Sequence, residues 1–124
     1  MITAVCIDDS PAELDFVAGR ILVAHDIQVV AKETTGTGGL AAVKRWRPTL
    51  VMLDLSLTLL HGQEVLEAII AAKIDTLVFV ASGSSQLFKT CLDIGAAACF
   101  TKPYDDILTW RGIEAVLKER GLLE

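Results

Sequence analysis

The chain has 124 residues, 52% of them hydrophobic, and a formal net charge of -5. That length is enough for one domain with its own core and no disulfide or metal staples. The acidic balance argues against general affinity for nucleic acid or anionic membranes, and no apolar run reaches the ~20 residues of a membrane span.

Five strand-like runs alternate with helix-like ones, and no linker, repeat or low-complexity tract interrupts them. The strands are expected near 2–7, 28–33, 50–54, 76–82 and 99–102, starting about 22 to 27 residues apart, the length of a β-α unit. Several are rich in Val, Ile and Leu and continuous rather than alternating, as strands of a parallel sheet covered on both faces require. Met1-Ile2-Thr3 enters the first strand at once, without the basic region of a signal peptide, so the cytoplasm is the expected location.

After the first strand come Asp8-Asp9 and then a helix start. Ser10 suits the N-cap, Pro11 the first helical position, and Glu13 completes a capping box. Leu14, Val17, Ile21 and Leu22 then recur at helical spacing towards His25. The Gly36-Thr37-Gly38-Gly39 stretch reads as loop and leaves the second helix short. That helix carries the densest basic segment, Lys44-Arg45-Trp46-Arg47, read as a solvated face stopping before Pro48. Gly62 opens a third helix with Val65, Leu66, Ile69 and Ile70 on its apolar face. Ser82-Gly83-Ser84-Ser85 reads as loop and cap before a helix through Leu87, Cys91 and Ile94. The last helix is expected to begin near Asp105-Asp106 and to stop at Gly121. Cys6, Cys91 and Cys99 are widely spaced and odd in number, so they read as small buried hydrophobes.

Polar groups recur where the apolar strands end: Asp8-Asp9, then Asp54, then Ser82-Gly83, then Lys102-Pro103. Right-handed crossovers with helices on both faces force a reversal of strand order, and ligands bind beyond the carboxyl ends of the strands at that reversal. If strands one and three flank it, Asp8, Asp9 and Asp54 form one acidic pocket. Converging carboxylates repel one another unless cations are present. Lys102 supplies one, and a hard oxygen-seeking ion such as Mg2+ would supply another. Asp54 would then attack a phosphoryl group, with Ser82 as an uncharged hydrogen-bond donor; positioning and charge neutralisation are the main contributions in such transfers.

In the order Asp-Asp, Asp, Ser, Lys-Pro, the chain resembles a two-component response-regulator receiver domain over essentially its whole length, residues 1–124. The resemblance implies an α/β, flavodoxin-like fold: a five-stranded parallel sheet in the order 2-1-3-4-5, doubly wound with five helices. It implies Asp54 as phosphoacceptor, and Asp8, Asp9, Asp54 and the Ser56 backbone carbonyl as Mg2+ ligands, with Asp9 the more direct. Ser82 matches the switch hydroxyl, Gly83 the small residue beside it, and Gly62 the glycine at family spacing after the acceptor. Lys102-Pro103 matches the family's Lys-Pro, whose peptide bond is commonly cis. The implied partner is a sensor histidine kinase or histidine phosphotransfer protein, with no direct binding of nucleic acid or membrane; a homodimer is compatible with it. The family is not enzymatic beyond its own phosphorylation and dephosphorylation.

Two positions depart from the family pattern. Thr58 stands where Pro is usual, and Cys99 replaces the aromatic that rotates with the switch hydroxyl, while Phe100 beside it should face the opposite side of the strand. His61 reads as a loop residue near the pocket. Other functions compete: a phosphorylation-independent interaction domain, which binding unaffected by Asp54 replacement would favour, or a phospho-aspartate hydrolase resembling the haloacid-dehalogenase family. In the last, Ser56 stands where the general acid/base Asp would be required.

Overall fold

A computed structural model describes all 124 residues. Five parallel strands, β1 (Thr3–Ile7), β2 (Gln28–Glu33), β3 (Leu50–Asp54), β4 (Leu77–Ser82) and β5 (Ala98–Thr101), form one sheet in the order β2-β1-β3-β4-β5. This is the expected flavodoxin-like order. β2 lies at the edge, and its pairing with β1 shifts register between Ala4 and Val5. β3 is central, and every residue of it is buried, which is why it reads as a continuous apolar run rather than an alternating one.

The two-residue period of the strands divides the core between the sheet's faces. Val5, Ile7, Val51, Leu53, Val78 and Val80 point to one side, against α2 (Gly36–Trp46), α3 (Gly62–Ala71) and α4 (Phe88–Ile94). Ala4, Cys6, Leu50, Met52 and Phe79 point to the other, against the first helix and α5 (Asp106–Glu119). No helix is long and apolar enough to cross a membrane.

The first helix begins as α1 (Pro11–Asp15), winds as a π-helix over Phe16–Leu22 and closes as a 3-10 turn over Val23–His25. It reaches His25 as expected, and Leu14, Val17, Ile21 and Leu22 are its buried face. Only half of the expected capping box forms. Ser10 Oγ accepts from the Glu13 N–H at 3.3 Å, but the Ser10 N–H donates to Asp8 Oδ1 at 2.9 Å.

Two helix boundaries differ from the sequence reading. The glycine stretch at 36–39 is helical, because Thr35 caps it by accepting the Gly38 N–H at 3.1 Å. Its glycines serve close approach: a Cβ on Gly36 would collide with the Leu60 carbonyl, and one on Gly39 would lie 2.5 Å from Ile7 Cδ1. In the loop after β4, Ser82 Oγ accepts the Ser84 N–H and Ser84 Oγ the Gln86 N–H, both at 3.2 Å. These successive serine turns satisfy the backbone without a helix, so α4 starts at Phe88, with Leu87 at its N-cap and no serine cap.

Candidate functional site

The reversal of strand order falls between β1 and β3, whose ends deliver Asp8 and Asp54 to the same spot. Both carboxylates are buried, at 1% and 2% exposure, while Asp9 is exposed. One oxygen from each of Asp8, Asp9 and Asp54 lies within 4.8 Å of the other two.

Lys102 reaches this group from the segment after β5. Its Nζ donates to Asp8 Oδ2 at 2.8 Å and to Glu13 Oε2 at 2.8 Å, and pairs with Asp54 Oδ1 at 3.1 Å. Asp54 Oδ1 also accepts the Ser56 N–H at 3.2 Å. Backbone bonds tie the platform together: the Leu55 N–H donates to the Ala81 carbonyl at 3.0 Å and the Lys102 N–H to the Ser82 carbonyl at 2.9 Å. Ser82 is buried beside them.

Burial, then the charge of Asp8, holds the Asp54 carboxyl above its ordinary range, against the opposing pull of Lys102 and the Ser56 N–H. For Lys102, burial disfavours the charge, but Asp8, Glu13 and Asp54 outweigh it and push its pKa up. The ammonium is therefore charged throughout the neutral range. Four carboxylates (Asp8, Asp9, Glu13 and Asp54) face one ammonium, so the site carries an excess of negative charge. Its donors are all oxygen, and Asp9 opens to solvent, which leaves room for water ligands. That donor set fits a hard divalent cation that keeps most of its hydration shell.

The family model of the response regulator receiver domain matches residues 4–109. The chain belongs to the response regulator receiver family. Among curated relatives it is 28% identical over 110 residues to a protein-glutamate methylesterase/protein-glutamine glutaminase of Bacillus licheniformis, covering 86% of this chain and 31% of that protein. It is 27% identical over 101 residues to the DNA-binding transcriptional activator EvgA of Escherichia coli K12, covering 80% of this chain and 49% of that protein. The chain thus spans less than half the length of either of these relatives. A CheY-like response regulator receiver domain protein from Methanospirillum hungatei has the same fold, with a TM-score of 0.88 at 24% identity over 98% of this chain and 97% of that one. This is a receiver domain of two-component signalling.

The receiver brings Asp8, Asp9, Asp54 and Lys102 together, while Ser82 joins Lys102 through the backbone and its hydroxyl accepts the Ser84 N–H. The Ser56 N–H serves Asp54, and its carbonyl takes no backbone hydrogen bond. Gly62 is required by space, since a Cβ there would strike the Asp54 carbonyl. A Cβ at Gly83 would meet nothing within 4 Å, so packing does not demand that glycine. The Lys102–Pro103 peptide bond is cis.

The loop from Leu55 to His61 is pinned to the start of α2, where the Gly36 and Thr37 N–H groups donate to the Thr58 and Leu59 carbonyls at 3.1 and 3.0 Å. His61 braces it, its Nδ1 lying 3.1 Å from the Leu57 carbonyl. Leu59 and Leu60 both hold positive φ, 53° and 107°, conformations that L residues adopt only under such constraint.

Cys99 and Phe100 face opposite sides of β5, as their alternation requires. The Cys99 thiol lies against α4, 3.8 Å from the Phe88 carbonyl, and burial pushes its pKa up to about 11. Two contributors to the site were not identified from sequence. Glu13 was absorbed into a capping motif, although its place one turn after Asp8-Asp9 aims it at the same strand ends. Tyr104, two residues after Lys102, lies with its ring centroid 5.7 Å from Lys102 Nζ and 6.5 Å from the Phe16 ring.

Proposed function

We propose that this receiver, residues 1–124, accepts a phosphoryl group on Asp54 from a phosphohistidine donor and so acts as a phosphorylation-controlled module of a two-component system or phosphorelay. The observation that carries this reading is the buried Asp54 carboxylate held between the Asp8-Asp9 pair and the Lys102 ammonium. Oδ1 is occupied by Lys102 and the Ser56 N–H, which leaves Oδ2 to attack. The new O–P bond forms as the donor's N–P bond breaks; the electron pair of that bond returns to the imidazole nitrogen, which takes a proton from solvent. Lys102 offsets charge on the phosphoryl oxygens, and the Ser82 hydroxyl exchanges its contact with the Ser84 N–H for one with the phosphoryl group. Asp9, Asp8, Asp54 and the Ser56 carbonyl would hold a Mg2+ ion, which supplies charge neutralisation to the same oxygens when bound.

The donor is a sensor histidine kinase or a histidine phosphotransfer protein, encountered in the cytoplasm. Hydrolysis of the acyl phosphate is self-catalysed, with no other enzymatic activity. The -5 charge fits a domain that does not itself hold nucleic acid, and a homodimer is compatible with this reading. The test is intact mass after incubation with acetyl phosphate. One added phosphoryl group is expected with Mg2+, none with a chelator, and none in Asp54→Asn. A phosphoryl adduct on the Asn variant would contradict the assignment.

A further inference from the structure

Glu13 has no counterpart among the residues that the receiver reading uses, yet its contact with Lys102 is as short as that of Asp8, 2.8 Å for both. A closed ring of bonds fixes it there. Lys102 Nζ donates to Asp8 Oδ2 and to Glu13 Oε2, the Ser10 N–H donates to Asp8 Oδ1, and the Glu13 N–H donates to Ser10 Oγ. Pro11 at the first helical position sets the start of the turn that presents the Glu13 side chain. The result is an ammonium whose hydrogens are aimed at Asp8 and at α1, with its longer approach, 3.1 Å, left for Asp54.

We propose that Glu13 is a positioning residue that tethers Lys102 in the resting receiver and must release it when a phosphoryl group arrives on Asp54. An ammonium has three hydrogens and Lys102 has three carboxylate partners, so bonding a phosphoryl oxygen while Asp54 Oδ1, retained in the acyl phosphate, keeps its contact requires Lys102 to give up Asp8 or Glu13. Asp8 is 1% exposed and would be left buried without its cation, which is costly. Glu13 is 39% exposed, so water replaces the lysine at little cost. Glu13 is therefore the partner that yields. Because the contact exists only in the resting form, it lowers the affinity of the site for a phosphoryl group by the strength of that contact. This inference rests on the receiver chemistry proposed above.

The test uses Glu13→Gln, which removes the charge, and Glu13→Asp, which keeps the charge but falls one methylene short of Lys102. At saturating Mg2+, affinity for beryllofluoride, read from amide chemical shifts, is expected to rise about two- to fivefold in both variants, the size of a half-exposed ion pair. The rate of phosphoryl uptake from acetyl phosphate should rise with it. Thermal melting shows whether each variant is folded, and a merely structural role for Glu13 would lower affinity or leave it unchanged. If Glu13→Gln binds more tightly while Glu13→Asp matches wild type, rim charge and not the tether is responsible, and the proposal is overturned. It is overturned equally if wild type takes up phosphoryl and neither variant exceeds it. If wild type binds no beryllofluoride and takes up no phosphoryl with Mg2+, the receiver chemistry itself fails, and the tether with it.

Discussion

The Phe100 ring lies nearly parallel to that of Phe79, with centroids 6.0 Å apart, on the side of the sheet opposite Cys99. The aromatic mass of β5 is thus committed to the α5 side. On the α4 side, where the family's rotating aromatic would stand, only the Cys99 thiol faces Phe88. A bond from Ser82 to a phosphoryl group remains available as a differential interaction, and the conformational shift can be no larger than that interaction supports. Amide shifts induced by beryllofluoride and Mg2+ are expected to concentrate in Ser82–Phe88, with little change over 98–101. Large changes along β5 and α5 would show that signal passes by another route.

Gly112 sits inside α5 because of that same ring. A Cβ there would lie 2.5 Å from Phe100 Cε1, and Phe100 is backed by the fully buried Phe79. Replacing Gly112 with Ala gains about 1 kcal/mol of helix propensity but forces an overpacking cost of about 1–3 kcal/mol. The net expectation is a loss of about 1 kcal/mol in denaturant unfolding. A stabilised variant would mean that the ring moves aside freely.

Asp8 and Asp9 are adjacent but are expected to respond differently. Asp8 is buried and bonded to Lys102 and the Ser10 N–H. Its replacement by Ala should cost about 2–3 kcal/mol of stability, at or below the lower end for breaking a buried pair, because Lys102 keeps Glu13 and Asp54. Asp9 is exposed, so Asp9→Ala should leave stability within about 0.5 kcal/mol while weakening Mg2+ binding. Equal Mg2+ affinity in Asp9→Ala and wild type would remove Asp9 from the ligand set.

Asp54 is expected to destabilise the metal-free receiver. Its pKa is raised in the folded state, chiefly by burial and then by Asp8, so between the unfolded value and the raised one the native state binds more protons. Stability then falls as pH rises through that window. In chelator at neutral pH, Asp54→Asn should melt a few degrees above wild type, and the gap should close on acidification to about pH 4. Added Mg2+ should raise the melting temperature of wild type more than that of the variant. A variant that melts lower at neutral pH would show that Lys102 outweighs the cost of burial.

The architecture was legible because strands buried on both faces leave long apolar runs, and because each ends in a polar residue that a buried sheet would otherwise exclude. Leu50–Asp54 and Gln28–Glu33 match their expected limits residue for residue. The glycine-rich start of α2 was not legible, since Gly36 and Gly39 answer to Leu60 and Ile7, contacts far away in sequence. The serine run after β4 misled for a related reason: the hydroxyls cap turns rather than a helix. At the site, the residues at strand ends were recoverable from order alone. Glu13 was not, because a capping box and an ion pair ask for the same residue at the same place, and only the position of Lys102 decides between them.

The central claim is tested most directly by locating the acyl phosphate. Protein treated with acetyl phosphate and Mg2+ is reduced with borohydride, which converts an aspartyl phosphate to homoserine, and is then digested and sequenced by mass spectrometry. Homoserine is expected at position 54 alone, and at no position when the metal is chelated. Homoserine at Asp8 or Asp9, or a phosphoryl group found on His61 with Asp54 unmodified, would contradict it.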